Sequence, residues 1–230
     1  MKFGIVLPTW RYNAERAILC DTALKSLAAT NYSERPLLKL MVRGDYKPYE
    51  AICEKLTEKF VVDPDICDDS NVQGTEQTLA YGSDQLARWG NIEYIIWMGD
   101  DALFHSMWLQ ELEGLISRHP NAKAWSVYHS AFKQVHKTES SILNDVHVRS
   151  ICGHGLTMRA VEWLAWGKRY KDLRGQGYNG TYTLDLLHVQ ERPGERWVTK
   201  NSYVQHTGRQ GVHCDMFIPE YGLDFQYDGK

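Results

Sequence analysis

Tyr94-Ile95-Ile96-Trp97-Met98-Gly99-Asp100-Asp101-Ala102-Leu103-Phe104 is the stretch on which the reading of this chain turns. Its apolar run reads as a buried strand. The run stops at Gly99 and two adjacent aspartates, and Trp108-Leu109-Gln110-Glu111-Leu112-Glu113-Gly114-Leu115-Ile116 resumes with helical spacing. Open α/β sheets place ligands at the carboxyl ends of their strands. Neighbouring carboxylates repel, so they need a compensating positive charge. Two readings follow. In one, Mg²⁺ or Mn²⁺ supplies that charge and is shared with a substrate phosphate, because these hard cations prefer oxygen ligands. In the other, the pair is a solvated turn that caps the next helix.

Working outward, strands and helices alternate. Lys2 to Leu7 reads as a first buried strand, closed by Pro8-Thr9. Ala14 to Ala29 has helical periodicity, with Asn13 as N-cap. Leu37 to Val42 is a second strand, ending in Arg43-Gly44-Asp45; Tyr49 to Phe60 is a helix and Val61-Val62 a short strand. Asn71 to Thr75 forms a turn, and Thr75 to Trp89 a helix capped by Gly90. Alternation at these lengths predicts an α/β fold with a mostly parallel sheet.

The pattern changes near residue 120. Ala124 to Tyr128 reads as a strand and His129 to Val148 as a polar, irregular stretch. A helix is expected over Arg159 to Trp166, a glycine-rich loop over Arg174 to Thr183, and a short helix over Leu184 to Glu191. A strand over Trp197 to Val204 and a tail from His206 to Lys230 complete the chain. The expectation is one domain over residues 1–230, with a nucleotide-type half (1–120) and a half that completes the site (121–230).

Composition narrows the function. The chain has 230 residues, 43% apolar and 12% aromatic, with eight Trp, enough to bury a core. A net charge of −3 and a pI of about 6.3 argue against a broad footprint on duplex nucleic acid. No apolar run approaches the roughly 18 residues of a membrane span. The N-terminus, broken by Pro8, does not read as a signal peptide. Five scattered cysteines without a C-x-x-C pair fit free thiols in a reducing cytoplasm. Cys152-x-His154 and His213-Cys214 match no common structural zinc spacing.

The order of these features resembles the GT-A glycosyltransferases, family 2 in particular, over Phe3 to about His213. Ile5 to Asn13 is similar to that family's first strand and Pro-Thr turn, Asn71-x-x-Gly74 to its N-x-G turn, and Tyr94 to Asp101 to its D-x-D strand. Gly153 to Leu164, Gly177 to Leu187 and Tyr203-Val204-Gln205-His206-Thr207-Gly208 resemble its later motifs, the last a strand ending in His-x-Gly. Two positions depart from the pattern. Met98 stands where the first Asp of D-x-D usually stands, and Leu184-Asp185 replaces Glu-Asp, which leaves one candidate base.

The resemblance implies a nucleotide diphosphate sugar as donor, a divalent cation and an inverting transfer to an acceptor hydroxyl. Asp101 is then the leading direct metal ligand, Asp100 a ligand of metal or ribose, and His206 a third ligand or a donor to phosphate. Asp185 is the general base, at a helix start after a glycine-rich loop that can close over substrate. Thr9, Arg11 and Asp45 lie at strand ends where base and ribose would sit, and an aspartate accepting a uracil N3–H favours a UDP-sugar. Gly74 belongs to the turn motif, and Arg209 and His213 are placed to reach the diphosphate. Trp10, Trp97 and Trp163 are expected to pack.

Two other classes stay open: a non-catalytic nucleotide-sugar or carbohydrate-binding protein on the same scaffold, and a nucleotidyltransferase. The latter wants a glycine- and basic-rich loop near the N-terminus, where Pro8-Thr9-Trp10-Arg11 supplies one basic residue. The acceptor is open between glycan, small molecule, protein and hydroxymethylated DNA base. Lys133, His136, Lys137, His147 and Arg149 form either a polyanion contact or a solvated loop.

Overall fold

β1 (Phe3–Thr9) runs through the centre of the molecule and is buried along nearly its whole length. In the computed structural model, residues 1–11, 13–67, 74–130, 138–149, 151, 155–175, 193–207 and 224–228 are described, with 74–76 and 168–175 described by backbone alone. Successive side chains of a strand point to opposite faces, so β1 feeds two cores. Phe3, Ile5 and Leu7 join one core, and Val6 joins the other.

On the first face pack α1 (Ala14–Ala28), α2 (Glu50–Leu56) and α4 (Trp108–Arg118), through Cys20, Leu24, Leu27, Cys53, Leu56, Trp108, Leu109 and Leu112. On the second pack α3 (Gly74–Arg88) and α5 (Ala160–Gly175), through Leu79, Ala80, Leu86, Trp163 and Trp166. At Gly82 of α3 helix and sheet meet closely. A Cβ there would lie 2.5 Å from Val6 Cγ1.

The remaining strands are β2 (Leu37–Arg43), β3 (Val61–Cys67), β4 (Tyr94–Trp97), β5 (Ala102–Phe104), β6 (Ala124–Ser126), β7 (Thr138–Ile142), β8 (Asp145–Val148), β9 (Thr157–Arg159), β10 (Arg196–Thr199) and β11 (Val204–His206). Among the described residues nine strands form one sheet in the order β3-β2-β1-β4-β9-β6-β10-β8-β7. Its direction is mostly parallel, as expected: β9 and β8 alone run against the others. β11 and β5 pair antiparallel in a separate ribbon. Chain order reverses between β1 and β4, because β1 is followed by β2 on one side and joined by β4 on the other. Such a reversal is where open α/β sheets form a ligand crevice, at the carboxyl ends of the two strands.

Several local expectations are corrected. The helix expected over 49–60 is a 3-10 turn (Lys47–Tyr49) followed by the shorter α2. β3 runs five residues beyond Val62, although it contains Pro64. Pro is admitted there because β3 lies at one end of the strand order. Buried Lys39 draws β3 in, with Nζ 2.7 Å from Asp63 and 3.3 Å from Asp65. The stretch read as irregular over 129–148 holds the β7–β8 hairpin, whose outer strand is exposed at every position. The strand expected over 197–204 is two strands, β10 and β11, that belong to different sheets. Cys20, Cys53 and Cys67 are buried free thiols, as expected. Among the described residues no helix is long and apolar enough to cross a membrane.

Candidate active site

β4 is short and ends at Trp97, so Met98 and Gly99 carry the chain out of the sheet and deliver Asp100 and Asp101 into the crevice beside Thr9 and Trp10. Both carboxylates are buried, Asp100 at 3% exposure and Asp101 at 6%. The reading of the pair as a solvated turn therefore fails. Water is excluded, and the compensating charge comes from within the chain.

That charge is Arg16. Its Nη1 donates to Asp101 Oδ2 at 2.7 Å, and its Nη2 donates to Asp100 Oδ1. A single guanidinium spans both carboxylates, a task suited to its planar fork of donors. Arg16 stands in the first turn of α1, whose N-cap Asn13 accepts the Arg16 amide at 2.7 Å. A cation in a first helical turn faces the positive end of the macrodipole. The two aspartates offset that unfavourable placement.

The backbone amide of Trp10 donates to Asp100 Oδ2 at 3.0 Å. Burial pushes the Asp100 carboxyl up to about 6; Arg16 opposes that shift and neighbouring Asp101 adds to it. Burial also works against the Arg16 charge, but Asp101 and Asp100 outweigh it and hold the guanidinium protonated.

The ribbon of β5 and β11 brings the late histidine to this point. Register pairs His206 with Ala102, and Thr207 donates both its amide and its hydroxyl to the Asp101 carbonyl, each at 2.7 Å. His206 Nε2 then lies 3.3 Å from Asp101 Oδ2. The adjacent Asp100 and Asp101 and the sequence-distant His206 are brought together.

The other candidates are distributed differently. Thr9 is buried, with its hydroxyl donating to Tyr49 Oη at 3.0 Å and lying 3.0 Å from Cys20 Sγ. It braces the crevice wall. Arg11 is held by the Pro48 carbonyl at 2.9 Å and by Asp21 at 3.0 Å, over the Tyr49 ring. Asp45 is exposed in a turn, its Oδ1 accepting the Lys47 amide at 3.0 Å. Gly74 opens α3. Asp185, Arg209 and His213 lie outside the described residues, as do the zinc candidates Cys152, His154 and Cys214 and the basic residues Lys133, His136 and Lys137.

Trp97 and Trp163 are fully buried and pack edge to face, as expected. Trp10 is not core: it is 38% exposed at the end of β1, with the Arg43 guanidinium 4.2 Å over its ring.

A divalent cation implied by the family resemblance is testable against these side chains. Among the described residues no three His, Cys, Asp or Glu side chains are already grouped as a metal cage. Mg²⁺-type ions do not require one: one or two carboxylates suffice when substrate phosphates and water complete the shell. Two buried carboxylates and an imidazole within 3.3 Å of one of them match that demand in donor type. The place is held by Arg16 in this geometry.

No protein-family model matches the chain, and no curated protein matches it. Solved structures do. The chain is similar to S. aureus TarS 1–349 in complex with UDP-GlcNAc, with a TM-score of 0.58 and 17% identity over 93% of this chain and 60% of that one. The complex of the same protein with UDP gives 0.56 and 16% identity over 89% and 60%. The chain thus spans about 60% of that structure's length. At this identity the likeness defines the fold, which is GT-A-like: a mostly parallel sheet flanked by helices, its crevice at the strand end that carries the aspartate pair.

Proposed function

We propose that this chain is a glycosyltransferase that moves a sugar from a nucleotide diphosphate sugar, a UDP-sugar by preference, to an acceptor hydroxyl with inversion. The observation that carries the reading is the buried Asp100–Asp101 pair at the switch-point crevice, with His206 delivered to it by the β5–β11 ribbon. The UDP and UDP-GlcNAc held by the structurally similar TarS support the choice of donor.

The residues divide the work. Asp101, Asp100 and His206 would hold Mn²⁺ or Mg²⁺. When bound, that ion supplies Lewis-acid neutralisation of the departing diphosphate, worth several kcal/mol. Thr207 fixes the Asp101 backbone, so the carboxylate is pre-oriented before a ligand arrives. Trp10 under Arg43 offers a flat, cationic surface at the ends of β1 and β2, suited to a base. Asp185, which lies outside the described residues, takes the acceptor proton. Residues 1–120 form the donor half and residues 121–230 the acceptor half of one domain.

The test is a screen of sugar nucleotides with Mn²⁺, reading nucleotide release with and without candidate acceptors. UDP release that depends on both Mn²⁺ and Asp101 is the expected result. Nucleotide binding without turnover on any donor or acceptor would leave a binding protein in its place.

A further inference from the structure

The Asp100–Asp101 pair already has a cation, and it is covalently part of the chain. Arg16 reaches both carboxylates from α1 with 15% of its side chain exposed, against 4% and 8% for its partners. One oxygen, Asp101 Oδ2, is contacted by Arg16 at 2.7 Å and approached by His206 at 3.3 Å. A metal that bridges Asp101 Oδ2 and the His206 imidazole takes that oxygen and the space beside it. Guanidinium and ion cannot both hold it.

We propose that Arg16 is an exchangeable counter-ion that competes with the divalent cation for the aspartate pair, so that the cation binds well only together with the nucleotide. The inference rests on the metal-dependent reading given above.

The physical argument has two steps. Without ligand, two buried carboxylates without a positive partner would be expensive, and Arg16 keeps them ionised in place. When a metal displaces it, the guanidinium loses its partners at the mouth of a crevice that excludes water. A diphosphate arriving with the metal gives the freed guanidinium a new anion, for which its fork geometry is suited. Metal alone faces the full competition; metal with diphosphate faces much less. Arg16 therefore generates positive coupling between the two ligands, and by linkage the coupling is reciprocal. The role is one of positioning and selection, upstream of chemistry.

The experiment measures Mn²⁺ affinity of the full chain by the electron paramagnetic resonance of free Mn²⁺, with and without UDP, for wild type, Arg16→Gln and Arg16→Lys. Arg16→Gln should bind Mn²⁺ alone more tightly than wild type, by about 5- to 150-fold, the usual range of such couplings. UDP should tighten Mn²⁺ binding strongly in wild type and weakly in Arg16→Gln, with Arg16→Lys closer to wild type. Should Arg16→Gln fold poorly, the shift of its melting temperature on adding Mn²⁺ is read instead, and it should exceed the wild-type shift. Equal or weaker Mn²⁺ binding by Arg16→Gln, with wild type still taking up Mn²⁺ with UDP, overturns the exchange and leaves the proposed function standing. Tighter Mn²⁺ binding by Arg16→Gln with no transfer activity in wild type upholds the exchange and removes the transferase. Absence of Mn²⁺ binding in every variant removes both.

Discussion

His206 Nε2 lies 3.3 Å from Asp101 Oδ2, although the two residues are far apart in the sequence. Their approach follows from a three-residue ribbon: β5 begins directly after Asp101, β11 ends at His206, and register sets Ala102 against His206. The site is thus assembled by strand pairing, which is stiffer than loop contact.

Removing the Asp101 carboxylate should eliminate Mn²⁺-dependent binding of UDP. Asp101→Ala leaves Asp100 paired with Arg16, so the fold survives with a lowered melting temperature. Calorimetric titration of UDP into the variant with Mn²⁺ present decides the matter, and unchanged binding would move the metal elsewhere. Because burial pushes the Asp100 carboxyl up to about 6, protons should compete with the metal. In wild type, Mn²⁺ affinity should fall as pH drops through about 6.

Asp185→Asn should keep UDP and Mn²⁺ binding while transfer falls on the order of 10²- to 10⁴-fold, the usual cost of losing a general base. Single-turnover transfer beside a binding titration separates the two effects. A variant with near-normal turnover would shift the role to another carboxylate.

One carboxylate that deprotonates the acceptor suits direct displacement, so an α-linked donor should yield a β-linked product. The proton coupling constant of the new anomeric hydrogen reports the outcome. An α product from an α donor would refute inversion.

Much of the fold was readable from β1, β2, β4, α1, α3 and α4, where buried apolar runs and helical spacing leave few alternatives. The rest was hidden for identifiable reasons. β7 is exposed at every position, so Thr138 to Ile142 lacks the hydrophobic alternation that marks a strand. β3 carries two aspartates because buried Lys39 faces them, a tertiary contact invisible in local sequence, and its proline is admitted by its place at one end of the strand order. β5 and β11 are three residues each, too short for any periodicity. In the site, Asp100, Asp101 and His206 stood out by residue type and position, and Arg16 did not. Its purpose appears only when α1 docks on the crevice.

A second carboxylate gives a stability prediction. Asp145, in β8, is buried; Arg118 donates to it twice, at 2.6 and 2.7 Å, and His119 Nε2 lies 2.8 Å away. Burial alone would raise its pKa, but the hydrogen bonds from Arg118 and His119 outweigh that and hold it below the usual carboxylate range. The unfolded chain then takes up this proton at higher pH than the folded one. Asp145 therefore contributes stability above the ordinary aspartate value, and that contribution is lost as pH falls through the lower folded value. Asp145→Asn should cost about 2 kcal/mol at neutral pH and flatten the acid limb of the unfolding curve. Thermal melts of both proteins from pH 7 down to pH 3 test this. Parallel curves would count against it.

Trp97 ends the strand that delivers Asp100, and its indole donates to Ser83 at 2.8 Å while meeting Trp163 edge to face and Trp166 at a tilt. Three indoles held at fixed angles in a dry interior couple optically. Their near-ultraviolet circular dichroism forms an intrinsic gauge of how β4 sits in the sheet. No dye or label is needed to follow what happens at the strand end when a ligand reaches the crevice.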